Sequence, residues 1–300
     1  MPLLQRAAAA WRGPAGSTGI TLVLFLPPAL LLFTLFVVLP VGEAAWYSLF
    51  RWDGFGAPSD FVGLLNYENV FASRVFHTAL RNNLLIIVVS LTVQLPLALV
   101  LALILAERIP GAAIFRMIFF VPYVLAEIAA GLIWRFAYDG DYGIVASIAR
   151  AFGATAPHVL ADPYYAEAAI LSVIVWKYFG FHMMLYIAGL QAIDQNLYAA
   201  ARVDGATRWQ VLRHIKLPLL KPTVKLSVFF AILGSFQLFD LVMPLTRGGP
   251  SDSTQTMVSF LYNHGITRMR VGFGSAIGVV LFLICVVFAV VYKRGVMRDD

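Results

Sequence analysis

Charge is scarce in this sequence: 13% of its 300 residues are Asp, Glu, Lys or Arg, against 60% hydrophobic. A soluble globular domain carries about twice that charge, so the composition excludes one. Cysteine is nearly absent too. The single Cys285 rules out an internal disulfide and, lying in an apolar run, reads as packing. No GxxxxGK[ST] loop occurs, so the chain is not expected to bind or hydrolyse ATP, and neither HExxH nor Gly-x-Ser-x-Gly is present. His77, His158, His182, His214 and His264 are far apart and lack metal-ligand spacing. The formal charge of +6 comes from basic residues scattered around apolar spans, without the aromatic-interleaved basic patch that nucleic acid requires. What remains is an all-α polytopic membrane protein.

Long apolar runs are what the chain does have. About 20 apolar residues cross a bilayer, and six stretches qualify: 20–41, 84–105, 117–137, 166–190, 223–242 and 274–292. Residues 1–19, with Arg6 and Arg12, precede the first span. That span exceeds the roughly 7 to 15 residues of a signal-peptide core and is expected to stay in the mature protein. Glu107-Arg108-Ile109-Pro110-Gly111 ends the second span, and Pro122 should kink the third. The mixed aromatic stretch 43–82, and 138–165 with a short helix near 144–152, are expected outside. Lys and Arg are richer on the side holding both termini and the 194–222 loop, which makes that side cytoplasmic, with 293–300 as its tail.

The 194–222 segment is the longest polar interruption of the second half of the chain. Asn196 can cap a helix over 197–203, and Asp204-Gly205 breaks it where a residue without Cβ suits a positive φ. Thr207 and Gln210 form a capping-box pattern opening a second short helix, with Trp209, Leu212 and Ile215 on one side, that should end before Pro218. Leu197-Tyr198-Ala199-Ala200-Ala201-Arg202-Val203-Asp204-Gly205-Ala206, followed by Ile215-Lys216-Leu217-Pro218, resembles the EAA loop of permease subunits in binding-protein-dependent ABC importers. The resemblance implies a type I importer (MetI-like) fold and a coupling helix seated in a separate ATPase subunit, carried here by Leu197, Ala200, Ala201, Asp204, Gly205, Ala206, Ile215 and Pro218. Ala199 stands where the family has Glu. Phe61-Val62-Gly63-Leu64-Leu65-Asn66-Tyr67 resembles the sugar-importer branch, and Thr246-Arg247-Gly248-Gly249-Pro250 the maltose-type permeases. The family further implies a second homologous permease, two ATPase subunits that use ATP with Mg, an extracytoplasmic solute-binding protein, and residence in a prokaryotic inner membrane. No cofactor is expected on this chain.

Ionisable groups at membrane depth are costly and face a cavity or a partner. Glu127 and Lys177 each lie about 15 Å into their spans, with Asp240 nearer an outer end. Glu127 and Lys177 could form an ion pair that fixes packing, or face a solute path; Asp240 fits a solvated helix end as well as a ligand contact. Ile174, Lys177, Tyr178 and Phe181 share one face at helical spacing, as do Ala231, Gly234, Ser235 and Leu238. Resemblance to the maltose-type permease puts sugar contacts on these two stripes, so the expected path comprises Glu127, Lys177, Tyr178, Phe181, Ser235, Gln237, Leu238 and Asp240. The rival class is a secondary transporter or channel using Glu127 or Asp240 as an ion site, which would need no EAA-like loop.

Overall fold

The computed structural model describes residues 14–107 and 109–297. Arg6, Arg12 and Arg108 lie outside them, as do the last three residues of the 293–300 tail. The first long helix, α1, comprises Pro14–Phe33, a π turn at Thr34–Val38 and Leu39–Tyr47. It is followed by α2 (Leu65–Ala72), α3 (Arg74–Leu105), α4 (Ala112–Val124), α5 (Glu127–Ala137) and α6 (Ile144–Ala151). The second half holds α7 (Pro163–Gln191), α8 (Gln195–Val203), α9 (Arg208–Gln237), α10 (Val242–Thr246), α11 (Met257–Phe260 with a π turn Leu261–Ile266) and α12 (Val271–Gly295). Within the described residues, five helices are long and apolar enough to cross a membrane; α4 and α5, bent by 96° at their junction, would make a sixth.

Prolines explain several of the differences from expectation. Pro40, Pro96 and Pro218 each sit two residues beyond a π turn, at Thr34–Val38, Ser90–Gln94 and Leu212–Lys216. A proline lacks its N–H and its ring collides with the carbonyl four residues back; widening the preceding turn to i→i+5 bonding moves that carbonyl aside and lets the helix continue. Hence the helix opened by Thr207 does not end before Pro218 but runs on to Gln237 as α9. At its far end α9 stops five residues short of the expected 242. Leu238 turns extended (ψ 114°), and its carbonyl accepts the Thr256 hydroxyl at 2.7 Å.

Three apolar clusters hold the bundle. One packs Ala98, Ala102 and Leu105 of α3 against Phe179, Met183, Tyr186, Ile187 and Leu190 of α7, with Leu220 of α9. A second joins Val70, Phe76 and Ala79 to α11 and α12. The third joins Ile86, Ala130, Val173 and Ile174 to Leu238, Leu241, Val242 and Leu245. Small residues permit the closest crossings, since association in lipid depends on contact and not on hydrophobic burial. Gly180 of α7 is one: a Cβ there would run into the carbonyl of Phe119 on α4. Gly180→Leu is therefore expected to force α4 off α7 and to lower the yield of monodisperse protein in detergent at least several-fold. Gly234→Ala, whose added carbon meets no atom within 4 Å, should leave that yield unchanged.

Candidate functional site

The junction of α4 and α5 is a gap in helical hydrogen bonding at membrane depth. The break comes three residues after Pro122: Leu125 (φ −60°, ψ 139°) and Ala126 (φ −56°, ψ 137°) are extended, so carbonyls just before them lose helical partners. Irregular backbone persists inside a membrane only where protein or a cavity satisfies it. Here Lys177 does so. Its Nζ donates to the carbonyls of Pro122 (3.1 Å), Tyr123 (3.1 Å) and Leu125 (2.6 Å), and the side chain is 1% exposed. The ammonium also lies 5.9 Å from the Tyr123 ring centroid and 5.8 Å from that of Tyr178.

Thus the ion pair offered above as one reading of Glu127 and Lys177 is not what fixes the lysine. Nor does Lys177 join the face of α7 on which it was expected. At about 100° per residue it stands about 60° to one side of Ile174, while Tyr178 stands about 40° to the other, and the lysine side is the one turned to α4. Glu127, at the first turn of α5, instead accepts the Tyr178 hydroxyl at 2.7 Å.

Beside the break lies a cavity of about 510 Å³, within the range of small-molecule sites. Ile174, Tyr178 and Phe181 reach it from α7, Glu127 and Tyr123 from the two sides of the break, and Ala231, Gly234, Ser235, Gln237, Leu238 and Asp240 from α9 and the turn that follows it. One wall is aromatic: Tyr123 stacks on Phe181 (centroids 4.8 Å, planes at 24°), and Phe230 meets Phe181 edge-on at 6.2 Å. Ser235 donates to the Ala231 carbonyl at 2.7 Å, which engages its hydroxyl within its own helix.

Sequence reasoning missed the contribution of α3. Ile86, Ser90 and Gln94 also line the cavity, Ser90 and Gln94 at the π turn of that helix. Two buried polar residues four apart in an apolar span were a signal available for them. His182, another lining residue, bonds Ser227 through Nδ1 at 2.7 Å. The segment after α9 is held by groups distant in sequence. Asn82 donates to the carbonyls of Ser253 (2.7 Å) and Gln255 (2.9 Å); Asn83 accepts the Met257 N–H at 2.9 Å and donates to the Ser235 carbonyl.

At the other end of α9 the polar loop forms two helices at a corner. Asp194, not Asn196, caps α8, accepting the Asn196 N–H at 2.9 Å. The helix closes in a Schellman motif: Ala206 N–H reaches the Ala201 carbonyl at 2.9 Å, Gly205 N–H that of Arg202 at 3.1 Å, and Gly205 is left-handed at φ +73°. Thr207 and Gln210 cap α9 reciprocally, at 2.7 and 3.3 Å. Of the residues expected to couple, Leu197, Ala200, Asp204, Gly205 and Pro218 are exposed, Ala206 and Ile215 are half-buried, and Ala201 is buried. Ala199 is exposed beside them. A groove of about 1110 Å³ runs between this corner and the α3–α4 turn, crossed by a 3.1 Å ion pair of Lys216 with Glu107. Partial burial raises the Tyr198 phenol above its ordinary pKa.

The model of the family "binding-protein-dependent transport system inner membrane component" matches residues 95–295. The probable ABC transporter permease protein YurN of Bacillus subtilis is 34% identical over 275 residues, covering 90% of this chain and 94% of that protein. The trehalose/maltose transport system permease protein MalF of Thermococcus litoralis is 35% identical over 278 residues, covering 92% and 94%. Among solved structures, a chain of a bacterial ABC transporter that imports the acidic polysaccharide alginate superposes with a TM-score of 0.79 over 99% of this chain and 100% of that one, at 22% identity, so the folds agree.

Proposed function

The chain belongs to the inner membrane components of binding-protein-dependent transport systems, and from that membership we propose that it lines half of the path by which a sugar or sugar-like solute enters the cell. A second homologous permease would supply the other half. An extracytoplasmic binding protein would deliver the solute, and two ATPase subunits, holding ATP with Mg, would supply the energy. In this reading both termini and the 194–222 loop are cytoplasmic. Leu197, Ala200, Ala201, Asp204, Gly205, Ala206, Ile215 and Pro218 form the contact with the ATPase, and Glu127, Tyr178, Phe181, Ser235, Gln237, Leu238 and Asp240 line the path, with Lys177 holding the helix break open behind them.

One observation carries the reading: α9 is continuous from the capping box at Thr207 to Gln237 at the cavity. Thirty residues of helix span about 45 Å. A displacement of the loop by an ATPase would therefore reach the cavity through a single stiff element, turning the site from one side of the membrane to the other. The aromatic wall suits the apolar face of a sugar ring, and the polar residues opposite suit its hydroxyls.

The test is uptake by the assembled transporter in proteoliposomes, alongside binding-protein-stimulated ATPase activity. Tyr178→Ala and Phe181→Ala should each reduce uptake about three- to tenfold, the value of one aromatic contact, while the stimulated ATPase activity persists. Ser235→Leu should block the path. If all three variants transport with unchanged apparent affinity and rate, the solute does not pass here. Uptake should also need ATP and survive a protonophore; the opposite result would mark a secondary transporter using Glu127 or Asp240.

A further inference from the structure

Two carboxylates face the cavity: Glu127 at the first turn of α5 and Asp240 in the turn after α9. No lysine or arginine is among its described lining residues. Lys177 adjoins Tyr178, yet an ammonium has three N–H donors, and the carbonyls of Pro122, Tyr123 and Leu125 engage all three. None of its donors is left to bond a solute anion, and its charge is set against that of Glu127. His182 is 3% exposed and has its Nδ1 on Ser227. Glu127, in contrast, receives one bond from Tyr178, and a carboxylate has about four lone-pair sites, so it retains capacity for hydroxyl donors.

We propose that Glu127 and Asp240 make this half of the path a charge filter, which accepts hydrogen bonds from uncharged polyhydroxylated solutes and repels those bearing a carboxylate, sulfonate or phosphate. The proposal rests on the reading of the cavity as the solute path. At about 6 Å and an effective dielectric constant of about 20, one like charge lowers anion occupancy roughly a hundredfold; the Lys177 ammonium behind Tyr178 offsets part of the field of Glu127, and Asp240 adds to it.

A thiol placed in the cavity measures this without involving the selectivity of the binding protein. In the assembled transporter carrying Cys285→Ala, Gln237→Cys reports from the cavity and Phe152→Cys, where the native side chain is 86% exposed, from open surface. Gly234→Cys is a second cavity reporter should the first not assemble. Each is reacted with a trimethylammonium-ethyl and a sulfonato-ethyl methanethiosulfonate. The cation-to-anion rate ratio in the cavity should exceed that at 152 by at least about tenfold, and Glu127→Gln with Asp240→Asn should bring the two ratios together. Equal ratios with both carboxylates present, a ratio unmoved by their neutralisation, or no reaction with either reagent would overturn the filter. Uptake of a neutral sugar after full modification tests the path separately. Unimpaired uptake would overturn the path and the filter with it, whereas blocked uptake with equal ratios would overturn the filter alone.

Discussion

Gly205→Val is expected to lower solute uptake at least about tenfold while leaving the chain folded and inserted in the membrane. Gly205 closes the Schellman motif of α8 at φ +73°, and a Cβ built there meets nothing within 4 Å, so the penalty is conformational and not a clash. A β-branched residue in the left-handed region costs at least about 1 to 2 kcal/mol. The chain can relieve that by unwinding the turn, which would swing α8 away from the capping box at Thr207 and change the angle between α8 and α9. Binding-protein-stimulated ATPase activity should then no longer drive uptake, with the uptake rate down at least about tenfold. Gly205→Asn, whose side chain tolerates this region, should retain most of the wild-type rate. Wild-type uptake by the valine variant would show that the corner does not transmit motion.

Lys177→Met should have the larger effect on stability. The methionine keeps the apolar stem but strips three carbonyls of their donor at a site 1% exposed. Each orphaned acceptor costs about 1 to 3 kcal/mol, so the sum is roughly 3 to 6 kcal/mol even with partial relaxation. The measurement is unfolding of the purified chain in mixed micelles with increasing denaturing detergent: the midpoint should fall well below that of wild type, or no folded protein should be recovered. Lys177→Arg should not rescue fully, because a planar guanidinium cannot direct donors at three carbonyls clustered about one point. A methionine variant with an unchanged midpoint would mean that water can satisfy the break.

What the sequence revealed about this molecule was whatever local chemistry decides. Five apolar runs became long helices because length and composition suffice for that. Gly205 and the Thr207–Gln210 box were legible because a cap needs only neighbours. Tyr178 with Phe181, and Gly234 with Leu238, could be grouped by helical spacing, and the fold does turn them to one cavity. The partners of Lys177 could not be read, since its acceptors appear only once the chain breaks at Leu125, about fifty residues earlier. Asn82 and Asn83 bind a segment more than 150 residues away, which no local pattern encodes. The stop expected before Pro218 failed because a widened turn is a property of the whole helix, whereas the proline signal belongs to one residue.

The π turn in α3 also resets the count along the helix. In an unbroken α-helix Ile86 and Gln94, eight steps apart, would stand about 80° from each other; a π turn absorbs one extra step of about 100° and brings them to within about 20°. Ile86, Ser90 and Gln94 can then look into one cavity, while beyond the turn Ala98 and Ala102 keep the phase that packs them on α7. The one additional residue that Pro96 requires thus lets a single helix offer a polar edge to the cavity in its first half and a small-residue seam to its neighbour in its second half. A helical wheel drawn through all of α3 superimposes the two and shows neither.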